Sequence, residues 1–131
     1  LLVADRGASR PVAEQARGSR RWENRTMATV PIRDITLTIT CPPLYAQDGK
    51  GDSAVAHMRF VCPTLGWVWY AMEHEVAEDP RDSRMFGLVF GACTEFGYFE
   101  PCELARNGVH VDLDFVPAPL SEIRARHADT A

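Results

Sequence analysis

The sequence predicts an α+β domain: a mainly antiparallel, twisted sheet of about five strands with short helices on one face, preceded by a flexible N-terminal arm. Three observations predict it. Apolar and polar residues alternate with period two in several segments, the pattern of half-buried strands. Most links between those segments are too short for a parallel crossover. Charge and composition also change near residue 27, and 131 residues with 46% hydrophobic content supply one core plus an appendage.

Residues 1–26 hold six arginines against three acids, a balance of +3, with few large apolar side chains and no periodicity. They read as a flexible basic arm. Residues 27–131 hold eight cations against fifteen acids, −7, and read as a single globular domain. Met27 stands directly before the first orderly segment, and the functional product is expected to begin there.

Within the domain, Ile35 to Thr40 alternates apolar residues with threonine and predicts a strand that ends at Pro42-Pro43. Residues 46–53 read as a polar, glycine-containing loop. From Ala54 to Cys62 the even positions are apolar and should face the core, leaving His57 and Arg59 on the opposite face. Trp67 to Met72 is apolar on both faces, as a central, covered strand would be. Residues 73–84 are charged and contain Pro80, so a long exposed connection is expected.

Met85 to Phe90 and Thr94 to Phe99 follow as strands, with Gly97 expected to mark a bulge or a close backbone approach. Glu100 to Arg106 predicts a short helix closed by Asn107-Gly108. Val109, Val111, Leu113 and Phe115 alternate with His110, Asp112 and Asp114 as a further half-buried strand. Leu120 to His127 predicts a last helix, started by Pro119.

Several function classes are disfavoured at this stage. No uncharged apolar run approaches the ~20 residues of a membrane-spanning helix. Cys41, Cys62, Cys93 and Cys102 form no CxxC pair, which fits reduced thiols in a cytoplasmic protein and no metal site. Asp48-Gly49-Lys50-Gly51-Asp52 lacks the serine or threonine of a phosphate loop and the ligand spacing of a calcium loop, and reads as a turn. Glu73-His74-Glu75 could supply an acid or base, but the sequence places no nucleophile beside it; no catalytic residue and no cofactor are assigned.

The surface of most interest follows from alternation. If the strands carrying His57 and Arg59 and carrying His110, Asp112 and Asp114 pair, a mixed-charge face forms on the sheet. With Trp69 and Tyr70 on the Trp-rich strand and Glu73 directly after it, these eight residues are the candidate binding set. An excess of acid in the domain opposes nucleic acid except through the arginine arm, so the expected partner is a protein surface.

Read in order, Pro42-Pro43-Leu44-Tyr45, Phe60 with Pro63, Trp67-Val68-Trp69-Tyr70 with Glu73, Phe86-Gly87-Leu88-Val89 with Gly91, and Glu95-Phe96-Gly97-Tyr98-Phe99 form a characteristic series. Glu103-Leu104, Asp112-Leu113-Asp114-Phe115 with Pro117, and Pro119-Leu120-Ser121-Glu122-Ile123 complete it. Over residues 41–123 this series resembles the bacterial single-domain family catalogued as domain of unknown function 2958. The resemblance implies a small protein of plasmids, integrative elements or phages and assigns no activity. The expected function is a non-enzymatic protein-interaction module of mobile genetic elements that binds a host or element protein complex, with anti-restriction or anti-CRISPR-like inhibition as its specific form. The alternative is a small enzyme or ligand sensor using a His/Glu site on the sheet.

Overall fold

A computed structural model describes residues 29–129. The arm expected over 1–26 and the start expected at Met27 lie outside the described residues. The class is the expected α+β one. Eight strands form: β1 (Thr29–Pro31), β2 (Val55–Ala56), β3 (Met58–Val61), β4 (Val68–Glu75), β5 (Arg84–Phe90), β6 (Thr94–Phe99), β7 (His110–Asp112) and β8 (Ala118–Pro119). Two helices, α1 (Pro101–Arg106) and α2 (Leu120–Asp129), complete the regular structure, with short 3-10 turns at Ile32–Asp34, Gly51–Ser53 and Pro80–Asp82. Six strands make one antiparallel sheet in the order β1-β7-β3-β4-β5-β6, and β2 pairs with β8 in a small second sheet.

Alternation along β3 and β4 splits the core in two. Met58 and Phe60 lie opposite Ala71 and Trp69, and pack with Ile32, Leu37, Met85, Phe99, Leu104 of α1, Val109 and Val111. The intervening residues face the other way. Val68, Tyr70 and Met72, with Leu88, form a second core under Leu120 and Ile123 of α2, joined by Phe115. The central position expected for the Trp67–Met72 segment is therefore occupied by β4, which is covered on both faces. The helices divide between those faces instead of sharing one: α1 belongs to the first core and α2 to the second.

Four local expectations change, besides the exposed connection expected over 73–84, which is shortened because β4 runs on to Glu75 with Glu73 buried and β5 begins at Arg84. Ile35 to Thr40 is extended but lies in no strand. Its alternation still sorts the chain, with Leu37 buried and Thr36, Thr38 and Thr40 exposed, because the segment packs across the first core with no ladder partner. The Arg81 guanidinium donates to the carbonyls of Ile32 and Ile35 at its start. The single strand expected over 54–62 breaks at His57, where the chain passes from the small sheet to the large one. The strand expected to run to Phe115 stops at Asp112, whose Oδ1 accepts the Asp114 N–H at 2.9 Å and turns the backbone.

The fourth concerns glycine. Gly97 sits in regular register, and a Cβ built there meets nothing within 4 Å. The close approach falls instead at Gly87, where a Cβ would stand 1.8 Å from the Tyr70 carbonyl oxygen, and the bulge lies opposite, between Ala71 and Glu73. Gly87→Ala is expected to destabilise the protein by about 3 kcal/mol or more, since backbone must shift to admit the methyl group. Gly97→Ala is expected to stay within about 1 kcal/mol of the parent. Urea denaturation midpoints of the two variants check both.

Candidate functional site

The strands carrying Arg59 and Asp112 do pair, β3 against β7, which sets the two side chains on one face of the sheet. That face is the one α2 covers. The Arg59 side chain is 6% exposed and that of Asp112 12%, and Arg59 Nη1 donates to Asp112 Oδ2 at 2.8 Å. The open mixed-charge surface expected from alternation is thus a closed polar seam inside the second core.

The seam continues from Arg59 to α2. Arg59 also hydrogen-bonds the Tyr70 hydroxyl, and Tyr70 OH lies 2.8 Å from His127 Nε2. Arginine can only donate, so the phenol oxygen accepts from Arg59, and the imidazole tautomer sets which of Tyr70 OH and His127 Nε2 donates in the second bond. Burial opposes charge on Arg59, but Tyr70 and Asp112 more than offset it and its pKa rises. Burial likewise pushes the Tyr70 phenol up against the pull of Arg59. His127 is lowered to about 4, first by burial and then by Arg59 and Arg126, and its ring stacks on Phe90 with centroids 3.7 Å apart. Leu120, Ile123 and His127 follow helical spacing and form the inward stripe of α2, so the seam fastens that helix to the sheet.

Glu73 is the second buried charge. Its Oε1 accepts the Tyr45 N–H at 2.8 Å and its Oε2 the Gln47 N–H at 2.9 Å. Gln47, missed in the sequence as one more polar loop residue, donates from Nε2 to the carbonyls of Val55 and Met72 and accepts the Val55 N–H. Together they dock the 43–48 segment and hold Tyr45 at φ +72°. Both carboxylate oxygens of Glu73 are used as backbone anchors. Cys41, close by, has its thiol pushed up to about 12 by burial and by Glu73.

The remaining candidates scatter. His74 Nδ1 lies 3.4 Å from the Pro42 carbonyl, and Glu75 pairs with Arg84 at 3.3 Å. His110 Nδ1 lies 3.1 Å from Thr29 Oγ1. His57 sits half-buried at the switch between the sheets, with its pKa lowered by burial. Trp69 is half-buried against the first core with its ring 6.0 Å from Trp67, and Asp114 is half-buried in the turn after β7. Among the described residues, no three His, Cys, Asp or Glu side chains cluster to hold a metal ion, and no helix is long and apolar enough to cross a membrane.

What the sequence reading did not single out is an aromatic platform at the β5–β6 end of the α2 face. Phe96 is 46% exposed and Tyr98 50%. They flank Phe86, which stacks on Phe96 (5.7 Å, 9°) and tilts against Tyr98 (5.1 Å). Arg84 lies 4.6 Å above Tyr98 and Arg124 of α2 lies 5.8 Å from Phe96, each at cation–π range. Tyr45, held by Glu73, borders the platform, and hydrogen bonding to its phenol is the first of the influences raising Tyr98. β6 ends the order of the large sheet, so its outer edge has no paired strand among the described residues. The signal was present in the sequence: Phe96 and Tyr98 are two apart on a strand, and their opposite face carries Glu95 and Gly97.

No family model matches the chain, and no curated protein or solved structure matches it.

Two outcomes follow from the seam. Asp112→Asn leaves the Arg59 charge buried without its counter-charge and is expected to cost about 3–5 kcal/mol, read from denaturation curves. For His127, a folded pKa below the unfolded value means that the unfolded chain takes up protons first. Its contribution is complete above about 6.5 and is lost as pH falls from there toward about 4. A melting temperature that falls over this window in the parent, and falls less in His127→Phe, checks the assignment.

Proposed function

We propose that the chain is a non-enzymatic protein-interaction module whose contact surface is the aromatic platform on β5 and β6. One observation carries the reading: large aromatic side chains stand about half-exposed on a strand whose outer edge has no paired strand among the described residues, where proteins usually place charge, proline or a cover. Aromatic residues with neighbouring arginines are the side chains that dominate binding energy at protein interfaces.

The buried polar groups support a structural role for themselves. Arg59, Asp112, Tyr70 and His127 hold one another, and Glu73 holds backbone, so these bonds serve the fold. A charge of −7 on residues 27–131 is sparse for imitation of DNA, which favours recognition of a protein surface. The specific form we propose is inhibition of a host or element DNA-processing complex, in line with the sequence resemblance to a family of mobile elements.

The test is affinity purification of the full chain from a bacterial host, followed by titration of the captured complex. Phe96→Ala and Tyr98→Ala are each expected to weaken binding at least about tenfold, the scale of an interface hot spot. Variants that bind as the parent does would overturn the platform as the contact surface. Inhibition of DNA cleavage by the captured complex, lost in the same variants, would support the counter-defence form; undiminished cleavage would discard it.

A further inference from the structure

We infer that β6 pairs with β6 of a second copy, antiparallel and about a two-fold axis through Gly97, joining two six-stranded sheets into one. The inference deepens the reading of β6 as a contact strand and names its first occupant.

Backbone chemistry identifies the kind of occupant. An edge strand presents alternating N–H and C=O groups, and the ligand that satisfies such a row is another extended chain. β6 runs for six residues in regular register and contains no proline, lysine or bulge, the devices that normally block such pairing. The opposite edge, β1, is three residues long and ends in Pro31, so it does not offer an equivalent row of backbone groups. Pairing β6 with β1 of another copy would also propagate without closing, whereas pairing β6 with itself closes as a dimer.

The residue pattern identifies the occupant as a second copy. Centred on Gly97, antiparallel pairing sets Phe96 opposite Tyr98 of the second copy, and Tyr98 opposite its Phe96, on the α2 face. On the other face it sets Glu95 opposite Phe99. Both pairs keep the faces that the β5–β6 register already defines. The electrostatics agree: no carboxylate meets a carboxylate across the axis, and two aromatic cross-strand pairs form, each a favourable contact. The two platforms then merge, with Phe86, Phe96 and Tyr98 of each copy in one continuous surface. At the axis, Gly97 faces Gly97, and open space around it lets the strands approach.

The open position also supplies the test. A Cβ added at Gly97 meets nothing within 4 Å in one copy, but in the dimer the two ammonium groups of Gly97→Lys would face each other across the axis. Sedimentation velocity or light scattering on the full chain, over a concentration series at low and moderate salt, is expected to show the parent at twice the chain mass. The dimer should strengthen with salt because the acidic bodies repel. Gly97→Lys is expected to be monomeric, with the circular dichroism of the parent. Register is read separately: in a Cys93→Ser background, Gly97→Cys should oxidise to a covalent dimer, since directly opposed Cα atoms lie within disulfide range, while Phe96→Cys should not.

A parent that stays monomeric, a dimer that survives Gly97→Lys, or crosslinking through position 96 in place of 97 would overturn the inference. A monomeric parent whose partner binding is still lost in Phe96→Ala would overturn the dimer alone and leave the interaction surface standing.

Discussion

An arginine sealed between a sheet and a helix is the constraint on which the rest of this structure depends. A guanidinium cannot shed its charge to escape burial, so Arg59 needs acceptors held in place around it. Asp112 supplies one from the next strand and the Tyr70 hydroxyl another, which obliges β3, β4 and β7 to keep a fixed register. The same phenol is bonded to His127 at the far end of α2. A chain of donors and acceptors thus converts one buried charge into the docking angle of a helix.

The position of that helix determines what the surface can offer. α2 covers β3, β4 and the Leu88–Phe90 end of β5 and leaves Phe96 and Tyr98 of β6 bare. It brings Arg124 to the border of the bare part, as β5 brings Arg84, so the two exposed rings and half-buried Phe86 lie between two guanidiniums. Those arginines are themselves partly neutralised, by Asp52 and Glu75, which keeps the platform from being a strongly basic patch on an acidic protein. Its character is aromatic first and cationic second.

Much of this was legible in the sequence, and the failures share a cause. Period-two patterning identified β4, β5, β6 and the inward side of Ala54 through Cys62, and the prolines and Asn107-Gly108 located both helices. Alternation says which residues share a face but not what lies on the other side of it. Alternation groups Arg59 with Asp112, yet their polarity does not distinguish solvent from a sealed seam, because the helix that covers them is distant in sequence. The same limit hid His127, although its spacing from Leu120 and Ile123 put it on the apolar stripe. Ile35 to Thr40 shows the converse: it has a strand's pattern without a strand's partner, since pattern reports burial and only a neighbouring chain supplies a ladder. Edge or centre, which decides what Phe96 and Tyr98 can do, is a property of topology.

The carboxylate of Glu73 has a consequence for which exchanges this chain can tolerate. Two amide protons converge on it, from Tyr45 and Gln47, and a carboxylate can accept both because it has no proton of its own. Glutamine has nearly the same shape but would turn one acceptor into a donor aimed at a donor. By the usual measures of similarity that exchange is among the mildest available, yet at this position the near-isostere would pry the segment off the sheet. Sequence drift here is governed by the direction of proton donation and not by size, and a descendant that lost the acid would also have to rebuild the segment resting on it.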